Sequence, residues 1–302
     1  MTPTRIGPYE VLRMLGHGGM AEVFLVRAHF GRYAGRELAL KRLLPSLEAD
    51  PDATRLFTAE ASLSRNLHHK NIVEVVDVGQ EGDTIYMVME FIDGRDAGQI
   101  VKRCRQKNVF WPIDFALYLT TALLEALDYA HGATGPDGQV LNIVHCDVSP
   151  SNFFVSRTGD LKLGDFGVAR SLLEGGPAPV MGKPYYLSPE ALLGRLSKSV
   201  DLWAVAVTMY ELLTLHRPFH GRGPAEVYEA IKSSRYAPLQ ELRPEVPAVL
   251  DGVVARAFDT DPEARFSSAS EFAEALKPSL DERVGTPLAI SAVVRGLFGT
   301  AD

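Results

Sequence analysis

The strongest constraint on the fold is a ten-residue stretch, 143–152. It carries an acid, Asp147, and an amide, Asn152, five positions apart, with Pro150 between them. Proline fixes φ and lacks an N–H, so the stretch is a shaped loop and not a helix. Ile143 and Val144 before it, and Phe153, Phe154 and Val155 after it, read as short strands. Asp165, Phe166 and Gly167 begin thirteen residues beyond Asn152. A hairpin turning at Thr158, Gly159 and Asp160 brings two carboxylates and an amide oxygen together. Hard oxygen donors in that number suit Mg²⁺ holding a nucleotide phosphate.

A chain of 302 residues exceeds what one hydrophobic core usually supports, so two lobes or domains are expected. The formal net charge of −7 argues against a nucleic-acid partner, whose phosphates need clustered Lys and Arg. Two cysteines, Cys104 and Cys146, give no disulfide framework and fit a reducing compartment, the cytoplasm. The first eight residues are short and polar, so no leader is expected. The best candidate for a membrane span, 202–215, is interrupted by Thr208, Glu211 and Thr214. It is also too short, and reads as a buried core helix.

Residues 9–15 and 22–26 read as strands around Gly16, His17, Gly18, Gly19, Met20 and Ala21. A dinucleotide-binding fold would place a helix after such glycines. Here a β-branched and aromatic run follows, so the segment is a hairpin. It is either an ordinary tight turn or one whose bare N–H groups approach phosphates. Residues 37–43 read as a third strand with Lys41 on the face of Ala39 and Leu43, which favours an inward ammonium over a solvated edge charge. Asp50 and Pro51 have the form of an N-cap and first helical residue. In the helix that follows, Leu56, Leu63 and Leu67 are expected to form one stripe. Glu60 falls inside that stripe, either at its edge or buried against a partner, for which Lys41 is the obvious choice. Residues 73–78 and 84–91 read as strands around a turn at 79–83. Residues 113–131 and 199–215 have helical periodicity, the second apolar nearly all round.

In this order the segments resemble the protein kinase family. Residues 145–152 are similar to H-R-D-L-x-x-x-N and residues 165–167 to D-F-G. The glycine hairpin is similar to the kinase glycine loop, with Ala21 at its third glycine, and Lys41 sits as in V-A-I-K. Residues 186–190 resemble the A-P-E segment, and Asp261, Pro262 and Arg265 match D-P-x-x-R. The match runs from about residue 9 to 277. The wording of 18–24 and of 147–152 is similar to bacterial serine/threonine kinases of the eukaryotic type.

The resemblance implies an α+β, two-lobed protein kinase fold. A small antiparallel β-sheet lobe with one main helix would span 1–92, a larger, mainly helical lobe 93–278, and a C-terminal tail 279–302. ATP would lie in the cleft. Asp147 would accept or orient the substrate hydroxyl proton, and Asn152 and Asp165 would bind Mg²⁺. Lys41, oriented by Glu60, would hold the α/β-phosphates. The ATP contacts implied are Leu15, Gly16, His17, Gly18, Gly19, Val23, Ala39, Lys41, Met89, Glu90 and Ile92. Asp201 would either cap its helix or, as in the family, accept hydrogen bonds from the catalytic-loop backbone. Arg265 would pair with Glu190.

Three departures carry information. Ser149 stands where serine/threonine kinases keep a lysine, and Gly182-Lys183 stands where they have Gly-Thr. Hydroxyl and ammonium look exchanged, so Lys183 is expected to reach into the site while Ser149 supplies the hydroxyl; otherwise Lys183 is a solvated loop lysine and the site is weakened. Cys146 replaces the arginine that receives an activation-loop phosphate and is expected to be packed and inert. The loop 168–187 has no threonine, only Ser171, Tyr185 and Tyr186. Activity independent of loop phosphorylation is therefore expected. The adjacent His68 and His69 would face different sides of a helix and do not suggest a metal site.

The resemblance thus implies transfer of the ATP γ-phosphate to Ser/Thr of protein substrates. The alternative is an ATP-binding pseudokinase scaffold, which Ser149 and Cys146 favour. A small-molecule kinase is disfavoured by residues 182–190, and tyrosine specificity by the missing arginine pattern. Residues 288–298 are apolar enough to dock on the body of the protein or on a partner.

Overall fold

Six strands build the first part of the chain in the computed structural model, which describes residues 4–29, 31–135, 137–166, 170–171, 182–281 and 286–299. They are β1 (Arg5–Ile6), β2 (Tyr9–His17), β3 (Ala21–Ala28), β4 (Glu37–Leu43), β5 (Val75–Glu81) and β6 (Thr84–Glu90). Their order is β1-β2-β3-β4-β6-β5, antiparallel throughout. One face buries Phe24, Val26, Leu38, Leu40, Tyr86 and Val88. The other face turns Leu43 and Met87 towards helix α1 (Pro51–Ser64), which adds Ala53, Phe57 and Ala61. Asp50 caps α1 by accepting from the Asp52 and Ala53 amides, and Pro51 opens it. This unit, Met1–Ile92, is the small antiparallel lobe that the sequence implied.

Two details of this unit differ from the sequence reading. The buried stripe of α1 is Ala53, Phe57, Glu60, Ala61 and Ser64. Leu56 is 38% exposed and Leu67 lies beyond the helix end. Phe57, the largest side chain available, takes the core, and Leu56, one residue earlier, is rotated about 100° away from it. The β5–β6 turn is also tighter than 79–83, because the ladder continues to Glu81 opposite Thr84. Gly79 is a strand residue. It is small because the Tyr86 ring covers it: a Cβ there would lie 2.3 Å from the phenol oxygen.

The second unit, Asp93–Asp302, is mainly helical. Its elements are β7 (Gly94–Asp96), α2 (Ala97–Lys107), α3 (Ile113–Gly132), β8 (Ile143–Val144), β9 (Phe153–Ser156), β10 (Leu161–Leu163), β11 (Arg170–Ser171), α4 (Lys198–Thr214), α5 (Pro224–Ser233), α6 (Leu239–Leu242), α7 (Val249–Ala257), α8 (Ala269–Leu276) and α9 (Pro287–Phe298). A β9–β10 hairpin pairs with β7, and β8 pairs with β11. Helix α4 is buried along almost its whole length, as its all-round apolar composition requires. Trp203 stacks on Phe219 at 5.2 Å and tilts against Phe258 at 5.1 Å. No helix among the described residues is long and apolar enough to cross a membrane.

Helix α9 docks on the protein's own body. Thr286 caps it, and Ile290, Val294 and Leu297 are buried. Its last carbonyls are taken by α2: Arg103 Nε donates to Leu297 O at 3.0 Å and Lys107 Nζ to Gly296 O at 3.3 Å. Ser291 Oγ donates to Arg157 O. Gly159, at the tip of the β9–β10 hairpin with φ +91°, lies so close under Pro287 that a Cβ would sit 1.9 Å from its carbonyl oxygen.

Candidate active site

In the second unit, everything hangs on the loop between β8 and β9. Asp201, in the first turn of α4 and 1% exposed, accepts from the amides of His145 (2.8 Å) and Cys146 (2.9 Å) and faces His131 Nε2 at 2.9 Å. A buried carboxylate needs such partners, and here they are the loop itself. This settles the choice between a helix cap and a loop acceptor; the cap of α4 is Ser197. Cys146 takes φ +64°, and its thiol points back to Val144 O.

Asp147 is presented by this scaffold. Its amide donates to His145 Nδ1 at 3.2 Å, so the ring proton sits on Nε2, which donates to Gly164 O at 3.2 Å. The buried Phe166 ring tilts on His145 at 4.5 Å. Gly164 also donates to Asn152 O at 2.9 Å. Asp165 is therefore pinned from both sides, which maintains its unusual left-handed φ of +59°. Gly167 lies outside the described residues.

Asn152 donates from Nδ2 to Asp147 O at 2.9 Å and to Asp147 Oδ2 at 2.8 Å. Those two bonds fix the amide so that Oδ1 is its outward oxygen. Lys183 grips the same acid twice: its amide donates to Asp147 Oδ1 at 3.0 Å, and Nζ reaches Oδ2 at 2.6 Å and Asn152 Oδ1 at 3.3 Å. Gly182 makes this approach possible, with φ +94° and room for no Cβ, which would meet Cys146 O at 2.5 Å. Ser149 is buried, and its hydroxyl lies on Ser151 Oγ at 3.2 Å.

In the first unit, antiparallel register puts Val23 opposite Lys41 and Ala39 opposite Met89, so all four share one sheet face. That is the face of α1. Lys41 Nζ meets Glu60 Oε1 at 2.5 Å, with Glu60 buried. The glycine hairpin pairs Gly16 with Val23 and His17 with Glu22, and Gly18 N donates to Ala21 O at 2.8 Å. None of Gly16, Gly18 and Gly19 has positive φ, and a Cβ on them would meet nothing closer than 3.5 Å. The fold itself does not require glycine there, so the bare backbone fits a closely approaching ligand. Leu15 and Ile92 are half-buried, and Glu90 closes on the Glu74 amide at 2.9 Å.

The donor set fits Mg²⁺ carried with nucleotide phosphates. Such an ion needs only one or two protein oxygens, here the Asn152 Oδ1 and the Asp165 carboxylate. The described residues hold no group of three or more His, Cys, Asp or Glu placed to cage a metal.

Arg265 and Glu190 form the expected pair, bidentate at 2.7 and 2.8 Å. Sequence reasoning missed a second polar knot. Glu211, buried in α4, accepts from Arg105 at 2.8 Å and from the Tyr186 hydroxyl at 2.5 Å. Burial and that carboxylate push the Tyr186 phenol far above its ordinary value. The signal was present: a Glu inside an apolar helix demands a partner. Residues 168–169 and 172–181, and with them most of the loop on which phosphorylation was considered, lie outside the described residues.

The protein kinase domain family matches residues 9–277 of the sequence. Tyrosine-protein kinase MasK of Myxococcus xanthus is 34% identical over 299 residues, covering 97% of this chain and 46% of the relative. The probable serine/threonine-protein kinase PknB of Corynebacterium glutamicum is 35% identical over 279 residues, covering 88% of this chain and 41% of the relative. Among solved structures, the PknI kinase domain of Mycobacterium tuberculosis superposes with a TM-score of 0.68. It is 30% identical and covers 92% of this chain and 99% of that one. The chain thus spans less than half the length of these two curated relatives.

Proposed function

The chain belongs to the protein kinase family, and from that membership we propose that it transfers the γ-phosphoryl group of Mg-ATP to Ser or Thr hydroxyls of protein substrates. Asp147 orients the acceptor hydroxyl and takes its proton. Asn152 Oδ1 and Asp165 hold Mg²⁺, which neutralises phosphate charge when bound. Lys41, positioned by Glu60, holds the α/β-phosphates under the Gly16, Gly18 and Gly19 backbone. Ala39 and Met89 face the base, and the backbone near Glu90 and Ile92 reads its edge. The cytoplasm supplies the ATP, and two cysteines outside any disulfide, Cys104 and Cys146, fit that compartment.

The observation that carries this reading is the fixed Asn152 amide: both its N–H bonds end on Asp147, so base and metal donor are locked as one piece. PknB and further curated relatives named as serine/threonine-protein kinases support Ser/Thr acceptors, whereas MasK is named a tyrosine kinase. The test is transfer of labelled γ-phosphate from Mg-ATP to the protein and to a generic basic protein, followed by phosphoamino-acid analysis. Asp147→Asn and Asp165→Ala proteins run alongside. Label on Ser or Thr that vanishes in both variants supports the proposal, and label on Tyr moves the acceptor class. Ser149 and Cys146 favour a second reading, a nucleotide-binding scaffold. No transfer, together with a melting temperature raised by Mg-ATP, would establish that reading instead.

A further inference from the structure

We propose that Lys183 is a catalytic residue: its ammonium, carried on residues 182–190 and not on the loop of Asp147, meets the phosphoryl group in flight. The inference rests on the kinase reading above and assigns the cation which that reading leaves missing. Residues 143–152 contain no Lys or Arg. Their one histidine is committed at both ring nitrogens, to Asp147 N and Gly164 O. Ser149 is buried against Ser151 and brings no charge. Phosphoryl transfer depends on positive charge placed where the equatorial oxygens pass.

Lys183 is built for that position. Its Nζ lies 2.6 Å from Asp147 Oδ2 and 3.3 Å from Asn152 Oδ1, between the base and the metal donor. An ammonium has three N–H bonds. Those two contacts engage two of them, and the side chain stays 38% exposed, open to a third oxygen. In the transfer, the acceptor oxygen bonds to the γ-phosphorus as the bond to the β,γ-bridging oxygen breaks. ADP leaves with that electron pair, Asp147 takes the hydroxyl proton, and the Lys183 ammonium keeps its protons while it contacts the moving group.

The location of Lys183 has a regulatory consequence. In residues 182–190 the cation travels with the segment, so seating the segment completes the site. Among the described residues, the contacts that seat it are the Tyr186 hydroxyl on Glu211, the Arg217 guanidinium 4.1 Å over the Tyr185 ring, and the Glu190–Arg265 pair, each made between unmodified side chains. Cys146, in place of a phosphate-receiving arginine, bonds to Val144 O.

Affinities for Mg-ADP alone, and for Mg-ADP with aluminium fluoride as a mimic of the group in flight, separate a catalytic from a structural lysine without turnover. Wild type is compared with Lys183→Ala, Lys183→Arg and the double variant Ser149→Lys with Lys183→Thr. The expected result is near-unchanged Mg-ADP affinity in Lys183→Ala, with roughly 10²-fold weaker binding of the mimic and a similar loss of kcat. Lys183→Arg retains part of the mimic affinity, and the double variant recovers most of both. Equal losses for Mg-ADP and mimic, or a double variant no better than Lys183→Ala, overturn the proposal. Phosphatase-treated wild type should keep its turnover; a loss overturns the phosphate-free seating. Absence of transfer by wild type itself would overturn the kinase reading and the catalytic role of Lys183 with it, whereas transfer by wild type with equal losses for Mg-ADP and mimic overturns the role of Lys183 alone.

Discussion

Two lysine–carboxylate pairs of almost equal length lie in surroundings that differ. Lys41 and Glu60 meet at 2.5 Å with side chains 14% and 5% exposed, and Lys183 and Asp147 meet at 2.6 Å with 38% and 14%. Distance alone would rank them together. Burial separates them, because water screens the second pair and leaves its cation reachable, whereas the first is enclosed between β4 and α1. The enclosed pair is suited to hold a geometry, and the open pair to exchange partners during a reaction. A third pair, Arg256 and Glu271 at 2.5 Å, extends the series to the surface at 44% and 37%.

The largest effect is expected where the open pair is proposed to do chemistry. Asp147→Asn should lower kcat by about 10²- to 10⁴-fold with little change in melting temperature, read by steady-state transfer and thermal denaturation. Stability should show the reverse order. Lys41→Met strips a buried carboxylate of its ammonium and should cost about 3 kcal/mol. Lys183→Met should cost less than about 1 kcal/mol. Equal losses in urea unfolding would break the comparison. Tyr186→Phe removes one donor from buried Glu211 and should cost about 1–2 kcal/mol in the same assay.

The smallest effect belongs to the surface pair. Hydrogen bonds from the Ser267 amide and hydroxyl, then Arg256, lower the Glu271 carboxyl from 4.5 to about 2. A depressed carboxyl contributes stability that is complete above the unfolded value and fades as pH falls from about 5 towards 2. Discounted for its exposure, that contribution is about 0.5 kcal/mol. Glu271→Gln should flatten that part of the stability–pH curve by removing the same contribution of about 0.5 kcal/mol at pH 7, and leave stability near pH 2 unchanged.

What could be read from sequence was what local spacing decides. Ala39, Lys41 and Leu43 alternate on a strand, so the face of Lys41 was fixed before any tertiary contact was known. Asp147, Pro150 and Asn152 lie within one loop, and so do Asp50 and Pro51 at a helix start. The readings that shifted depended on volumes brought from elsewhere. Leu56 lost the core of α1 to Phe57, and Gly79 proved to be a strand residue beneath Tyr86. The direction of the Lys183 side chain was expected from an exchange of residue types, but its second contact, on Asn152, required coordinates. Glu211 and Tyr186 are 25 positions apart, and no local period joins them.

Helix α9 lies beyond residue 277, where the family match ends, yet it grips both α2 and the β9–β10 hairpin that follows Asn152. Backbone amides of that hairpin and of α9 should therefore exchange with solvent as one cooperative block. The limit of the family match is not the limit of the folding unit: opening the last helix should loosen the strand that follows the proposed metal donor.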